Sequence, residues 1–239
     1  MRILVINPNS SEHMTEHIRA EVLRIKRDDT EVNVIANAGA PAAIESARDV
    51  ALAVPPLLEH VKQANEEAYD AIVLACFSDP GLQAAREVSD ILVLGIEETT
   101  LHVAAMLGHK FTILTPLAKR IPAKEREVRA YGLESALASV RSLDLSVSET
   151  DADPEATKKR ILEVARLARD EDGAETIVLG CAGMVGYAKD AEQELGLVVL
   201  DPTSVAFKIA EAVVDVGIRH CKRGLYATLI EHAQRKDVR

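Results

Sequence analysis

The sequence predicts an α/β protein of two pseudo-symmetric lobes, each a mostly parallel four-stranded sheet flanked by helices, with a site in the cleft between them. Three observations predict it. Short β-rich apolar runs alternate with longer helical patterns along the 239 residues, as in parallel sheets covered on both faces. Landmarks of the first half recur in the second: Val5-Ile6-Asn7-Pro8 resembles Ile113-Leu114-Thr115-Pro116 at an offset of 108, and Leu92-Val93-Leu94-Gly95 resembles Val198-Val199-Leu200-Asp201 at an offset of 106. Two of the three cysteines, Cys76 and Cys181, end near-identical apolar runs, VLACFSDP and VLGCAGM, at an offset of 105.

The expected strands are Arg2 to Ile6, Glu31 to Ile35, Ala71 to Ala75 and Ile91 to Leu94, followed by Phe111 to Leu114, Leu143 to Val147, Thr176 to Leu179 and Leu197 to Leu200. Helical patterns lie between them over Glu12 to Arg27, Ala43 to Asn65, Gly81 to Ser89, Lys119 to Tyr131, Pro154 to Asp170 and Ala188 to Leu195. The repeat divides the chain into a first lobe of residues 1–99 plus 205–239 and a second of residues 100–204, with the C-terminal helix returning to the first. No Gly/Ser-rich or Pro-rich linker separates them, so the lobes should pack closely.

Composition narrows the function. Hydrophobic residues make up 48% of the chain, enough for a substantial core. There is no basic segment leading into an apolar stretch at the N-terminus, and no apolar run approaches the roughly 18 residues that span a bilayer. A cytoplasmic protein without membrane partners is expected. Three cysteines are too few for a disulfide framework, so reduced thiols are the simplest expectation. A net charge of -10 and only 3% aromatic residues oppose nucleic-acid binding.

In open parallel sheets ligands bind beyond the carboxyl ends of the strands. Both cysteines sit at such ends, so lobes facing across a cleft would aim two thiols at one small molecule. Inverting a carbon stereocentre needs a base on one face and an acid on the other. A thiolate and a thiol suit that task, because two anions in one cleft repel. Buried core cysteines and a redox disulfide are the competing accounts of the same pair. After Cys76, Asp79 suits an N-cap and Pro80 a first helical position, and Gly183 and Gly186 loosen the backbone after Cys181. Such turns leave amides free to hold oxygens on which negative charge develops.

At these residues the chain resembles the aspartate/glutamate racemase superfamily, and within it the hydantoin and allantoin racemases. The resemblance runs through INPNSS at Ile6 to Ser11, GAPAAIES at Gly39 to Ser46, ACFSDPGL at Ala75 to Leu82, GIEE at Gly95 to Glu98, LGCAGM at Leu179 to Met184, and Asp201-Pro202. It implies cofactor-independent racemisation of a 5-substituted hydantoin or allantoin, with Cys76 and Cys181 as the catalytic pair and no metal. It also implies that Asn7, Asn9, Ser10 and Thr115 line the cleft, that amides near Phe77, Ser78, Ala182 and Gly183 hold ring carbonyls, and that the protein is a homo-oligomer. The chain departs from the superfamily's amino-acid racemases, which carry Cys-Asn-Thr and Gly-Cys-Thr where this sequence has Cys76-Phe77-Ser78 and Gly180-Cys181-Ala182. Aspartate/glutamate racemase and maleate cis-trans isomerase remain the alternative activities.

Other features have simpler readings. His13-Met14-Thr15-Glu16-His17 has the HxxEH spacing of some zinc peptidases, but Met14, Ile18, Val22 and Ile25 form the apolar stripe of that helix and place the histidines at its margin. Asn9 suits an N-cap with Glu12 in capping-box position. Glu45 and Glu97-Glu98 suit helix N-termini, with substrate contact as the second account. A solute-binding protein could share the two-lobed shape but has no need of paired thiols. Cys221, expected near the end of the last helix, has no counterpart in the other lobe and no assigned role.

Overall fold

In the computed structural model, which describes residues 1–227, two four-stranded parallel sheets repeat one topology. The first half runs β1 (Arg2–Asn7), α1 (Glu12–Ile25), β2 (Glu31–Ala36), α2 (Ala47–Glu66), β3 (Ala71–Leu74), α3 (Leu82–Val88), β4 (Leu92–Gly95) and α4 (Ile96–Leu107). The second runs β5 (Phe111–Thr115), α5 (Ile121–Ala130), β6 (Leu137–Ser142), α6 (Val147–Ala152), α7 (Pro154–Asp172), β7 (Thr176–Leu179), α8 (Ala188–Leu195), β8 (Val198–Leu200) and α9 (Pro202–Asp215). The strand orders are β2-β1-β3-β4 and β6-β5-β7-β8. In each sheet the strand that ends before a cysteine, β3 or β7, is a central one.

The central strands read as unbroken apolar runs because both of their faces are covered: β3, β5 and β7 are buried at every residue. One apolar cluster joins the sheets, combining Ile3, Val5 and Val73 of the first with Phe111, Ile113 and Val178 of the second. Helices α4 and α9 pack on one another; α4 also meets β7 and β8, and α9 meets α1, β3 and β4. Each fully buried side chain here, such as Leu101, Phe111 or Phe207, contributes on the order of 1.5–3 kcal/mol through burial. The lobes thus share a core rather than meeting through a linker.

Three details differ from the sequence reading. The strand expected at Leu143 to Val147 is β6 at Leu137–Ser142; Leu143 is buried in the following loop and Val147 opens α6. The run Leu143-Asp144-Leu145-Ser146-Val147 alternates like a strand but folds over the sheet end. Helix α2 begins at Ala47 rather than Ala43, capped by Ser46. Cys221 lies beyond the end of α9 at Asp215 and is exposed, outside any helix. Residues 228–239 of the expected first lobe lie outside the described residues. No described helix is long and apolar enough to cross a membrane.

Candidate active site

Both cysteines stand in turns that start where a central strand stops. After β3, Ala75 N still donates to Ile6 O at 2.8 Å, and Ser78 N and Asp79 N then fold back onto Cys76 O at 2.8 and 3.0 Å. After β7, Gly180 N donates to Leu114 O at 2.8 Å, and Met184 N closes a short 3-10 turn on Cys181 O at 3.0 Å. A Cβ on Gly180 would lie 2.6 Å from Leu114 O, so only glycine lets the chain pass that close to β5 just before the cysteine.

The two thiols, each half-buried, share one cavity between the lobes. Asn9, Phe77, Ser78, Thr115 and Ala182 also line it. Asn7, fully buried, supports the wall from behind by donating to Asn9 Oδ1 at 2.8 Å and Thr15 Oγ1 at 3.0 Å. Ser10 and Gly183 are not part of the cavity wall. Asn9 does not cap α1: its Oδ1 accepts from Ser11 N at 2.9 Å, and Ser11 Oγ caps the helix by accepting from Met14 N at 3.2 Å.

Burial pushes the Cys76 thiol up to about 12; the Ser78 hydroxyl, 3.3 Å from Cys76 Sγ, opposes the rise, Cys181 adds to it, Lys124 opposes it and Asp79 adds to it. Burial thus favours the neutral thiol at Cys76. Across the cavity, Gly183 N donates to Cys181 Sγ at 3.3 Å, an arrangement that favours negative charge on that sulfur.

The turn amides are not equally available. Ser78 N is taken by Cys76 O and Gly183 N by Cys181 Sγ, whereas Phe77 N and Ala182 N have no hydrogen-bond partner among the described residues. Each is the residue directly after a cysteine. The repeat has therefore left one unspent donor beside each thiol.

The structure also brings in residues that the sequence reading did not place at the site. Arg120 and Lys124 line the cavity, as do Met14, Ile44, Leu117 and Val147. A lysine within an amphipathic helix carries no sequence signal for burial. Glu45, read as a helix-terminal charge, is both things at once: it lines the cavity, and its Oε1 accepts from Val147 N at 2.9 Å at the start of α6. Glu97 and Glu98 open α4, where Glu97 pairs with Lys124 at 2.8 Å and Glu98 with Arg86. Asp79 does not cap α3, whose N-cap is Gly81; with φ at 40°, a left-handed value that aspartate tolerates better than most residues, it turns toward α4 instead. His13 and His17 sit exposed on α1 with ring centroids 4.4 Å apart.

Comparison with known proteins shows the family and the fold. The family model for Asp/Glu/Hydantoin racemase matches residues 3–210. The chain is 38% identical over 226 residues to a hydantoin racemase of a Pseudomonas strain, covering 95% of this chain and 91% of that one. It is 39% identical over 227 residues to a hydantoin racemase of Paenarthrobacter aurescens, covering 95% and 96%. Its fold matches the solved allantoin racemase from Klebsiella pneumoniae with a TM-score of 0.92 at 35% identity, over 95% of this chain and 93% of that one. The chain belongs to the Asp/Glu/Hydantoin racemase family and is an isomerase of the racemase type.

Proposed function

We propose that the protein racemises a cyclic ureide, a 5-substituted hydantoin or allantoin, by proton transfer at C5 between Cys76 and Cys181, with no cofactor. The observation that carries this reading is the pairing of two thiols in one interlobe cavity, each followed by an amide, Phe77 N or Ala182 N, without a hydrogen-bond partner among the described residues. The C5–H of such a ring lies between a ring nitrogen and a carbonyl, so the electron pair left on deprotonation delocalises onto the carbonyl oxygen. A thiolate can remove that proton without further electrophilic help.

In one direction the Cys181 thiolate takes the C5 proton from one face, the negative charge passes to the ring carbonyl oxygen held by a turn amide, and the Cys76 thiol returns a proton to the opposite face. The cycle ends with Cys181 as thiol and Cys76 as thiolate, and the opposite enantiomer runs it in reverse. The apolar wall of Met14, Ile44, Leu117 and Val147 keeps water from the reacting carbon.

Proton NMR in D2O tests this. The C5–H signal of a 5-substituted hydantoin or of allantoin should disappear in an enzyme-dependent way, and Cys76→Ser or Cys181→Ser should slow racemisation by orders of magnitude while the fold persists. Exchange on aspartate or isomerisation of maleate, with no exchange on either ring, overturns the substrate assignment, and full activity in both variants overturns the thiol mechanism.

A further inference from the structure

Lys124 is the least expected side chain at the site. It projects from α5 of the second lobe, is 2% exposed, and spends its three ammonium donors on Phe77 O, Glu97 Oε2 at 2.8 Å and Glu127 Oε2 at 2.8 Å. Its Nζ also stands 5.0 Å from the centroid of the Phe77 ring. Phe77 follows Cys76 directly, and Lys124 lines the cavity both cysteines share. The other ties on the Cys76 turn described above come from the first lobe; this one comes from across the boundary.

Stability alone does not account for the arrangement. Removing an ammonium and a carboxylate from water costs several kcal/mol per ion, and apolar residues of similar volume usually serve a fold as well or better. Here the burial is also incompletely compensated, because Glu97 Oε1 is buried with no hydrogen-bond partner. The device is one-sided as well. At the offset of 108 that relates α5 to α1, the counterpart of Lys124 is Glu16, an exposed residue paired with Arg19. The first lobe thus has no matching lysine for the Cys181 turn.

We propose that Lys124 is a positioning residue for Cys76: by clamping the Phe77 carbonyl from the opposite lobe it fixes the Cys76 turn and presents an ammonium to that thiol. This rests on the reading of Cys76 as a reacting group. The groups facing Cys76 are Ser78 and Asp79 from its own turn, Cys181 from the β7 turn and Lys124 from α5, with Glu45 and Arg120 on the same cavity wall. Those facing Lys124 are Glu97, Glu127 and the turn around Phe77. Burial dominates at Cys76, and after the Ser78 hydroxyl Lys124 is the group that works against it, favouring the thiolate once the proton has been given up.

The test compares the parent with Lys124→Met and with Lys124→Met/Glu97→Gln, the second also removing the fully buried Glu97 charge, so that the only carboxylate left without Lys124 is the partly exposed Glu127. The pH profile of iodoacetamide alkylation is followed at Cys76, Cys181 and the exposed Cys221 by peptide mass spectrometry in substrate-free protein, alongside kcat and KM. In both variants the Cys76 profile should move to higher pH by about one unit, roughly tenfold slower alkylation at a fixed pH, while Cys181 and Cys221 move by less than about threefold. Turnover should fall about tenfold or more, with KM changed by less than about threefold. A Cys76 profile that does not move, a shift shared equally by Cys181, or an unchanged kcat overturns the proposal. Because alkylation needs no substrate, a parent that turns over no ureide defeats the racemase reading while the Cys76 profile still decides the role of Lys124.

Discussion

Asp79 and Asp201 make the same tie from opposite ends. Asp79, in the Cys76 turn, accepts from Glu97 N at 3.1 Å and Glu98 N at 2.8 Å, binding its turn to the start of α4. Asp201, the residue before α9, accepts from Thr203 N at 2.9 Å and Ser204 N at 3.1 Å and reaches back to Gly186 N at 2.9 Å, in the segment that follows Cys181. Gly95 is the counterpart of Asp201 in the repeat, and a Cβ there would lie 2.2 Å from Asp79 Cγ. One carboxylate therefore joins cysteine segment to helix in each lobe, and the position that does not supply it is cleared for it.

Gly95→Ala should destabilise the protein by about 1–3 kcal/mol, because the new methyl must displace the Asp79 carboxyl. Asp79→Ala should cost a similar amount, roughly 1–3 kcal/mol, by stranding the two α4 amides. The double variant should cost clearly less than the sum, since each change removes the other's obstacle. Urea unfolding of the three variants checks this; strict additivity would mean that the close approach of the two positions carries no energy.

The same carboxyls predict a pH dependence. Burial pushes Asp79 up to about 7 and Asp201 up to about 6, with their amide donors working the other way. A folded-state value raised above the unfolded one means that the native protein holds a proton that the unfolded chain has released. The stabilisation is then complete below about pH 4 and is lost as pH rises to about 7. Other carboxylates, such as Asp172 beside Arg141, are lowered and slope the opposite way, so the informative quantity is a difference. Asp79→Asn should flatten that loss relative to the parent when unfolding free energies are compared at acidic and neutral pH. An identical pH slope in parent and variant sinks the assignment.

Much of this arrangement was legible in the sequence, and the physics of burial explains which part. Central parallel strands must be apolar on both faces, so Ile3 to Ile6, Ala71 to Leu74, Phe111 to Leu114 and Thr176 to Leu179 announce themselves, and the residues just past them, Cys76 and Cys181, follow. The edge strand β6 is half solvated and carries Ser139, Arg141 and Ser142, so its signal was weaker than that of the alternating loop after it. Asn9 and Ser11 are both good capping residues two positions apart, and only the backbone geometry chooses between them. Lys124 and Glu97 were out of reach for another reason: their pairing across the lobes is a tertiary fact, and each read alone looks like an ordinary charge on a helix.

Gly180→Ala probes the other turn. Its methyl would meet Leu114 O at 2.6 Å and Ile113 Cγ2 at 2.9 Å, one of them backbone that cannot rotate away. The strand end must shift, and Cys181 with it. Thermal unfolding should show a loss on the order of 1–3 kcal/mol, and on the proposed mechanism racemisation should fall between about tenfold and a hundredfold because the sulfur is displaced from the carbon it would reach. Full activity in a stable variant would show that the placement of Cys181 tolerates such a displacement.

Glu45 joins the lobes at the rim of the cavity. Its Oε1 accepts from Val147 N, the first amide of α6, which has no intrahelical partner; Ser146 and Glu149 satisfy neighbouring amides through a capping box. A carboxylate at a helix N-terminus is worth roughly 0.3–1 kcal/mol, so Glu45→Ala should raise KM by about two- to fivefold, with kcat changed less, as the loop before α2 and the start of α6 lose their connection. Glu45→Gln keeps an accepting oxygen without the charge and should fall between the parent and the alanine variant. Steady-state kinetics on the proposed ureide substrate separates two roles for this residue. A selective rise in KM marks Glu45 as a closure of the cavity, whereas a fall in kcat at constant KM, shared by Glu45→Gln, would mean that its charge acts on the reacting ring itself.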